Sequence, residues 1–202
     1  MFSRRYYLAM DDPARLIELL ERLGNLLRTE RRLAAHTAGL QPVHLQALAY
    51  LSRCNRYSNT PAAVTAYLGT TKGTASQSLG VLERAGLIGR RTDPDDRRVA
   101  RLHLTPKGDR LLGELMPLPE WETSARSLDA DQVRAAADTL ESLLRTRQAS
   151  RRWRSFGACH TCRHFRREGE DQYRCGLTGE PLLVEETRLI CHEHEWPEKA
   201  SA

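Results

Sequence analysis

Leu68-Gly69-Thr70-Thr71-Lys72-Gly73-Thr74-Ala75-Ser76-Gln77 ends one helix and starts another within a few residues. Glycine halts a helix because it alone adopts left-handed backbone without steric cost, and the threonine at 71 can accept a hydrogen bond from an amide of the next first turn. Upstream, Thr60-Pro61 supplies a cap and a proline at the first helical position of a short helix through Ala63, Val64, Tyr67 and Leu68. Downstream, Ala75, Leu79 and Leu82 recur at the spacing of one helix face, and Lys72, Thr74, Ser76 and Gln77 fall on the others. Two short helices joined by a tight turn make a helix-turn-helix unit.

Working outward, Leu16, Leu19, Leu20, Leu23, Leu26 and Leu27 form an apolar stripe on one long helix reaching about residue 34. Such a stripe serves dimerisation or packing within one subunit. Gly39 closes that segment, and a second helix carries Leu45, Leu48 and Leu51. After Ala85-Gly86 an extended run from Leu87-Ile88 leads through Arg90 and Arg91 to Asp93-Pro94-Asp95-Asp96, and the chain returns from Arg98 to Leu104. This is a hairpin with a basic stem. Thr105-Pro106 caps a further helix interrupted at Pro117 and Pro119, and a last amphipathic helix runs from about Asp129 to about Ser150. The expected fold is mainly α with a small β-hairpin wing, a winged helix-turn-helix, followed by a small cysteine-rich module. Its expected domains are residues 11–150 and 151–202.

Leu82-Glu83-Arg84-Ala85-Gly86-Leu87-Ile88, Asp96-Arg97-Arg98 and Leu104-Thr105-Pro106-Lys107-Gly108, added to the stretch above, resemble the pattern of the MarR family of bacterial regulators. The D-x-R-x5-L-T wing motif is present as Asp96, Arg98, Leu104 and Thr105. The resemblance implies a homodimer in which each subunit places one helix in a major groove of double-stranded DNA and one wing in the adjacent minor groove. It also implies a small-molecule effector or thiol sensing. Physically, Thr71, Lys72, Gly73, Thr74, Ser76 and Gln77 can meet base edges or phosphates at a helix N-terminus. Arg98, oriented by Asp96, suits a narrow, strongly negative minor groove, while Arg90, Arg91, Arg97 and Arg101 can meet phosphates.

Charge supports this assignment without requiring it. The 202-residue chain has a formal net charge of +5, and residues 151–202 hold nine basic and nine acidic side chains, so residues 1–150 carry the whole surplus. Residues Met1–Met10 reach Asp11-Asp12-Pro13 before any apolar run, which does not read as a signal peptide. No window has the length of apolar sequence a membrane span needs, and a cytoplasmic location is expected.

In that reducing compartment the cysteines read as thiols or metal ligands rather than disulfides. Cys159, Cys162, Cys175 and Cys191 form C-x2-C-x12-C-x15-C in a segment too short to bury its own core, where a metal can supply folding free energy. Four thiolates suit a zinc ion, the commonest use of such spacing. One Cys-x2-Cys turn followed by two separated cysteines also suits an iron–sulfur cluster. His160, His164, His192 and His194 lie in the same segment and could replace a cysteine as ligand, but read first as exposed residues or as neighbours of the ligands, and Cys54 reads as a small buried residue with a reactive thiol as the alternative. The MarR resemblance stops near residue 150 and says nothing about this module. Four thiolates leave no open metal position, and the P-loop, the nucleophile elbow and the H-E-x-x-H pattern are missing, so a DNA-binding regulator is expected and not an enzyme. The rival readings are a DNA-anchored adaptor that docks a partner protein through the module, and a metal or redox enzyme.

Overall fold

The computed structural model describes residues 11–94, 96–116, 119–150 and 155–197. The chain divides into two compact units, residues 1–45 and 46–202, with one helix continuing across the boundary. In the first unit α1 (Asp12–Thr37) starts at Asp11, whose carboxylate accepts from the Ala14 amide at 3.1 Å, with Pro13 in its first turn. Ile17, Leu19, Leu23, Leu26 and Leu33 of this helix are exposed. The second helix, α2 (Pro42–Leu51), carries the fully buried Leu48 and Tyr50 into the second unit.

The second unit begins with the helix-turn-helix. Thr60 Oγ1 accepts from the Ala63 amide at 3.2 Å to cap α3 (Pro61–Leu68). Gly69 then takes the left-handed conformation, φ +62°, that lets the chain turn at once into α4 (Lys72–Arg84). Thr71 Oγ1 accepts from the Thr74 amide at 3.2 Å. A cap of this kind contributes about 1 kcal/mol. The buried face of α4 is Ala75, Ser78, Leu79 and Leu82, as the spacing predicts, and truncating either leucine to alanine costs roughly 2–5 kcal/mol.

The wing is an antiparallel pair, β1 (Ile88–Thr92) and β2 (Ala100–Leu104), with Ile88 opposite Leu104 and Arg90 opposite Leu102. Leu102 is buried, and its amide donates to the Asn59 carbonyl at 2.7 Å, tying β2 to the residue before the α3 cap. Thr105, the last residue of the wing motif, is structural. Its hydroxyl donates to the Gly86 carbonyl at 2.6 Å and accepts from the Gly108 amide at 3.1 Å, which joins the turn after α4 to α5 (Pro106–Leu115).

The interruption expected at Pro117 and Pro119 is a new helix, α6 (Pro119–Arg126), because proline is compatible with the first turn of a helix as well as with the end of one. Pro117 itself lies outside the described residues, as do Asp95 and Met1–Met10. The last long helix, α7 (Ala130–Ser150), leaves Val133, Leu140 and Leu144 exposed. No described helix is long and apolar enough to cross a membrane.

Among its described residues the cysteine-rich segment has five very short strands. β3 (Gly157–Ala158) pairs with β7 (Ile190–Cys191), and β4 (Phe165–Arg167), β5 (Tyr173–Cys175) and β6 (Pro181–Leu182) form a second sheet. Although it is distinct in composition, the segment belongs to the same compact unit as the winged helix. The Asn55 amide donates to the Ile190 carbonyl at 2.9 Å, the Ile190 amide donates to the Arg53 carbonyl at 2.7 Å, and the His192 amide donates to Ser58 Oγ at 2.7 Å. Phe156 sets its ring edge-on to both Tyr50 and Tyr67, at centroid distances of 6.1 and 5.2 Å. Trp196 Nε1 donates to Gln148 of α7 at 3.1 Å.

Candidate functional site

The outer face of α4 is polar by construction, since burying Ala75, Ser78, Leu79 and Leu82 turns Lys72, Gly73, Thr74, Ser76 and Gln77 to solvent. The helix N-terminus adds unpaired amides and a partial positive charge at the same place. Thr71 is exposed too, but its hydroxyl is engaged with the Thr74 amide and lies 3.0 Å from the Thr74 hydroxyl, so it shapes the helix start. At the far end of α4, Glu83 accepts from Arg90 Nε of β1 at 2.7 Å, an ion pair that fixes the wing strand to the helix.

At the wing tip, Asp96 holds Arg98 through Nε to Oδ1 at 3.0 Å and Nη2 to Oδ2 at 2.9 Å, while the Arg98 amide also donates to Asp96 Oδ1 at 3.0 Å. These hydrogen bonds hold the Asp96 carboxyl below its usual pKa range. The Arg98 side chain is nonetheless 90% exposed, so the carboxylate fixes its direction and leaves the guanidinium accessible. Arg91 and Arg97 are exposed on the same hairpin.

Arg101 departs from the expected arrangement. It turns inward, with Nε donating to Asp93 at 2.6 Å and Nη1 to the Tyr57 carbonyl at 3.0 Å. It braces the foot of the wing against residues 57–59. The signal for this was the buried acid Asp93 eight positions away, which sequence reading treats as part of the turn.

The four cysteines of the C-terminal segment line one small cavity of about 40 Å³. Cys159 sits in a 3-10 turn between β3 and β4, Cys162 just after it, Cys175 at the end of β5 and Cys191 at the end of β7. Phe165, Leu177 and Leu182 form apolar walls. All five cysteines of the chain are free thiols. Cys159 and Cys191 lie close enough to interact, which raises the pKa of Cys159 and lowers that of Cys191. Among the described residues no group of three or more His, Cys, Asp or Glu side chains converges closely enough to hold a single metal ion.

Two residues on the winged-helix side of the unit, Asn55 and Tyr57, complete the wall of this cavity. Asn55 is buried and its Nδ2 donates to Cys159 Sγ at 3.5 Å; the Glu195 amide donates to Cys162 Sγ at the same distance. Sequence reading missed Asn55 because nothing in the spacing of a polar turn signals contact with a cysteine more than a hundred residues away. The histidines divide. His164 lines the cavity, whereas His194 is buried, with Nδ1 2.8 Å from Ser155 Oγ and Nε2 2.9 Å from Thr161 Oγ1, and serves as an internal strut rather than an exposed residue. Cys54 is half-buried rather than buried and bridges to Ile190. Burial pushes its thiol up to about 12.

Comparison with known proteins agrees with this geometry. The sequence model of the MarR family matches residues 38–99. The transcriptional repressor MprA of Escherichia coli (strain K12) is 30% identical over 100 residues, which are 50% of this chain and 52% of that protein. The chain thus spans about half the length of the curated relatives it matches. Among solved structures, a MarR family transcriptional regulator from Silicibacter pomeroyi superposes with a TM-score of 0.56 at 22% identity, covering 66% of this chain and 90% of that one. The MepR–DNA complex of S. aureus superposes with a TM-score of 0.52 at 21% identity, covering 64% and 96%. Residues 38–99 therefore carry the MarR family pattern, set in the winged helix-turn-helix fold that these regulators share.

Proposed function

We propose that this protein is a DNA-binding transcriptional regulator, acting as a repressor and as a homodimer on a pseudo-palindromic operator. The observation that carries the reading is the pairing of the solvent-facing polar surface of α4 with a wing tip on which Asp96 holds an exposed Arg98 in a fixed direction. Lys72, Thr74, Ser76 and Gln77 would meet the major groove, Arg98 the minor groove, and Arg91 and Arg97 the phosphates. A similar protein, MprA, is named as a transcriptional repressor, and a similar fold, MepR, has been solved with DNA.

The dimer is supported by the apolar side chains exposed on α1 and, separately, on α7, since each helix leaves leucines uncovered in the single chain. A half-open groove of about 650 Å³ lined by Tyr67, Leu68, Leu144, Gln148, Phe156 and Ile190 is where an effector would bind. The C-terminal module would carry a metal centre on Cys159, Cys162, Cys175 and Cys191.

The test is a gel-shift titration with a duplex recovered by in vitro selection from a random library. Arg98→Ala is expected to weaken binding by about 1–3 kcal/mol, about fivefold to more than a hundredfold, and to reduce the salt dependence by about one counterion. Its circular dichroism and oligomeric state should be unchanged. Failure of the wild-type protein to enrich any duplex would overturn the reading, and unchanged affinity in Arg98→Ala would remove the wing from it.

A further inference from the structure

We propose that the cysteine cavity holds an iron–sulfur cluster, and that the presence of the cluster sets DNA affinity through the turn of residues 54–59. The second half of this inference rests on the DNA-binding reading above; the first half does not.

The shape of the site separates a cluster from a single ion. Zinc on four thiolates sits about 2.3 Å from each sulfur, which brings the sulfurs to within about 4 Å of each other and leaves no void between them. Here the four cysteines border a cavity of about 40 Å³, and no three ligand-type side chains among the described residues converge on one point. That volume exceeds what one water needs, roughly 10–15 Å³, and Phe165, Leu177 and Leu182 form the apolar part of its wall beside His164 and Glu193. Apolar walls and N–H donors aimed at the sulfurs are the means by which a protein holds and tunes an iron–sulfur centre. Both donors are in place, Asn55 Nδ2 on Cys159 and the Glu195 amide on Cys162.

The same turn that supplies Asn55 also reaches the wing. Asn55 Oδ1 accepts from the Tyr57 amide at 3.2 Å, the Tyr57 carbonyl accepts from Arg101 of β2 at 3.0 Å, and the Asn59 carbonyl accepts from the Leu102 amide at 2.7 Å. Five residues therefore run from a cysteine sulfur to the strand that carries the wing. A filled cavity fixes Cys159 and with it the Asn55 side chain. An empty one releases both, and the foot of the wing loses a fixed support. The coupling works by occupancy and requires no electron transfer within the protein.

The experiment uses the full chain, purified without oxygen and reconstituted with ferrous ammonium sulfate, sodium sulfide and a thiol reductant, with zinc chloride as the parallel arm. The expected result is iron and inorganic sulfide in equal amounts with broad visible absorption, lost in Cys175→Ser. Zinc at one per chain with no retained iron or sulfide would overturn the cluster, as would retention of neither metal. Loaded and chelator-stripped protein are then compared on the selected duplex, and a tenfold or larger difference in affinity is expected. Equal affinities would overturn the coupling. If iron and sulfide are bound but neither form binds any duplex, the DNA-binding reading fails and the cluster stands. Because Cys175→Ser can unfold the segment, Asn55→Asp provides a second arm. It keeps the acceptor for the Tyr57 amide and removes the donor to Cys159, so it should retain iron and sulfide, lower the cluster's reduction potential and shrink the loaded-to-stripped difference. An unchanged potential and an unchanged difference would remove Asn55 from the route.

Discussion

Replacing Gly108 by alanine tests the joint between α5 and the turn that links α4 to the wing. A Cβ built at this position meets the Leu87 carbonyl oxygen at 2.0 Å and its carbonyl carbon at 2.9 Å, where ordinary contact begins at 3.4 Å. The obstacle is main chain, which cannot swing aside as a side-chain end could, so α5 and the start of β1 must separate by more than about 1 Å. That movement strains the hydrogen bond from the Thr105 amide to the Leu87 carbonyl, 3.1 Å in the native chain. Overpacking costs about 1–3 kcal/mol and the lost bond about 1, against a gain of up to about 1 for alanine over glycine in a helix, which leaves a net loss of about 2 kcal/mol. For a chain of this size each kcal/mol moves Tm by roughly 2–4 °C, so a fall of about 4–8 °C is expected by differential scanning calorimetry. Gly113, five residues along the same helix, has no atom within 4 Å of a built Cβ, and Gly113→Ala should raise Tm slightly. A Gly108→Ala protein as stable as wild type, or shifted in the same direction as Gly113→Ala, would refute the argument.

Two further outcomes are expected. Leu26→Glu, placed on an exposed position of α1, should leave the helical content intact but convert the proposed dimer to monomer in analytical ultracentrifugation, and a variant that stays dimeric would take Leu26 out of the proposed interface. His194 is held below its ordinary pKa of 6.5, chiefly by burial, so the unfolded chain takes up a proton there more readily than the folded one. Its contribution to stability is therefore present above about pH 6.5 and lost as pH falls through the folded value. Thermal scans from pH 8 to pH 5 should show wild type losing more Tm than His194→Gln, and parallel curves would count against this account.

Much of the winged helix was legible because its instructions are local. Thr60, Thr71 and Thr105 each cap the helix they precede, Gly69 makes the turn, and the buried face of α4 follows from residue spacing alone. Asp96 and Arg98 are two residues apart, so their pairing could be inferred from sequence. The readings that changed all depend on distant partners. Arg101 looks like one more basic residue on a hairpin until Asp93 and Tyr57 are brought beside it. His194 looks available until Ser155 and Thr161 enclose it. The clustering of four cysteines was legible as spacing, but Asn55 as their neighbour was not, since the contact is made by the fold across residues that share no pattern.

The hydrogen bonds between residues 53–58 and residues 190–192 bear on how this chain can be divided. A fragment ending at Ser150 would retain every element of the helix-turn-helix and wing. It would also strand the Asn55 amide and the Arg53 carbonyl without their partners and uncover the Tyr50 and Tyr67 rings that Phe156 covers. Such a fragment would be a wounded protein rather than a smaller intact one. Any assay on it would report the injury as much as the loss of the cysteine segment, and point substitutions within the intact chain are the sounder way to separate the two. For the same reason, a cysteine module grafted from elsewhere would have to bring its own turn at residues 53–58 with it.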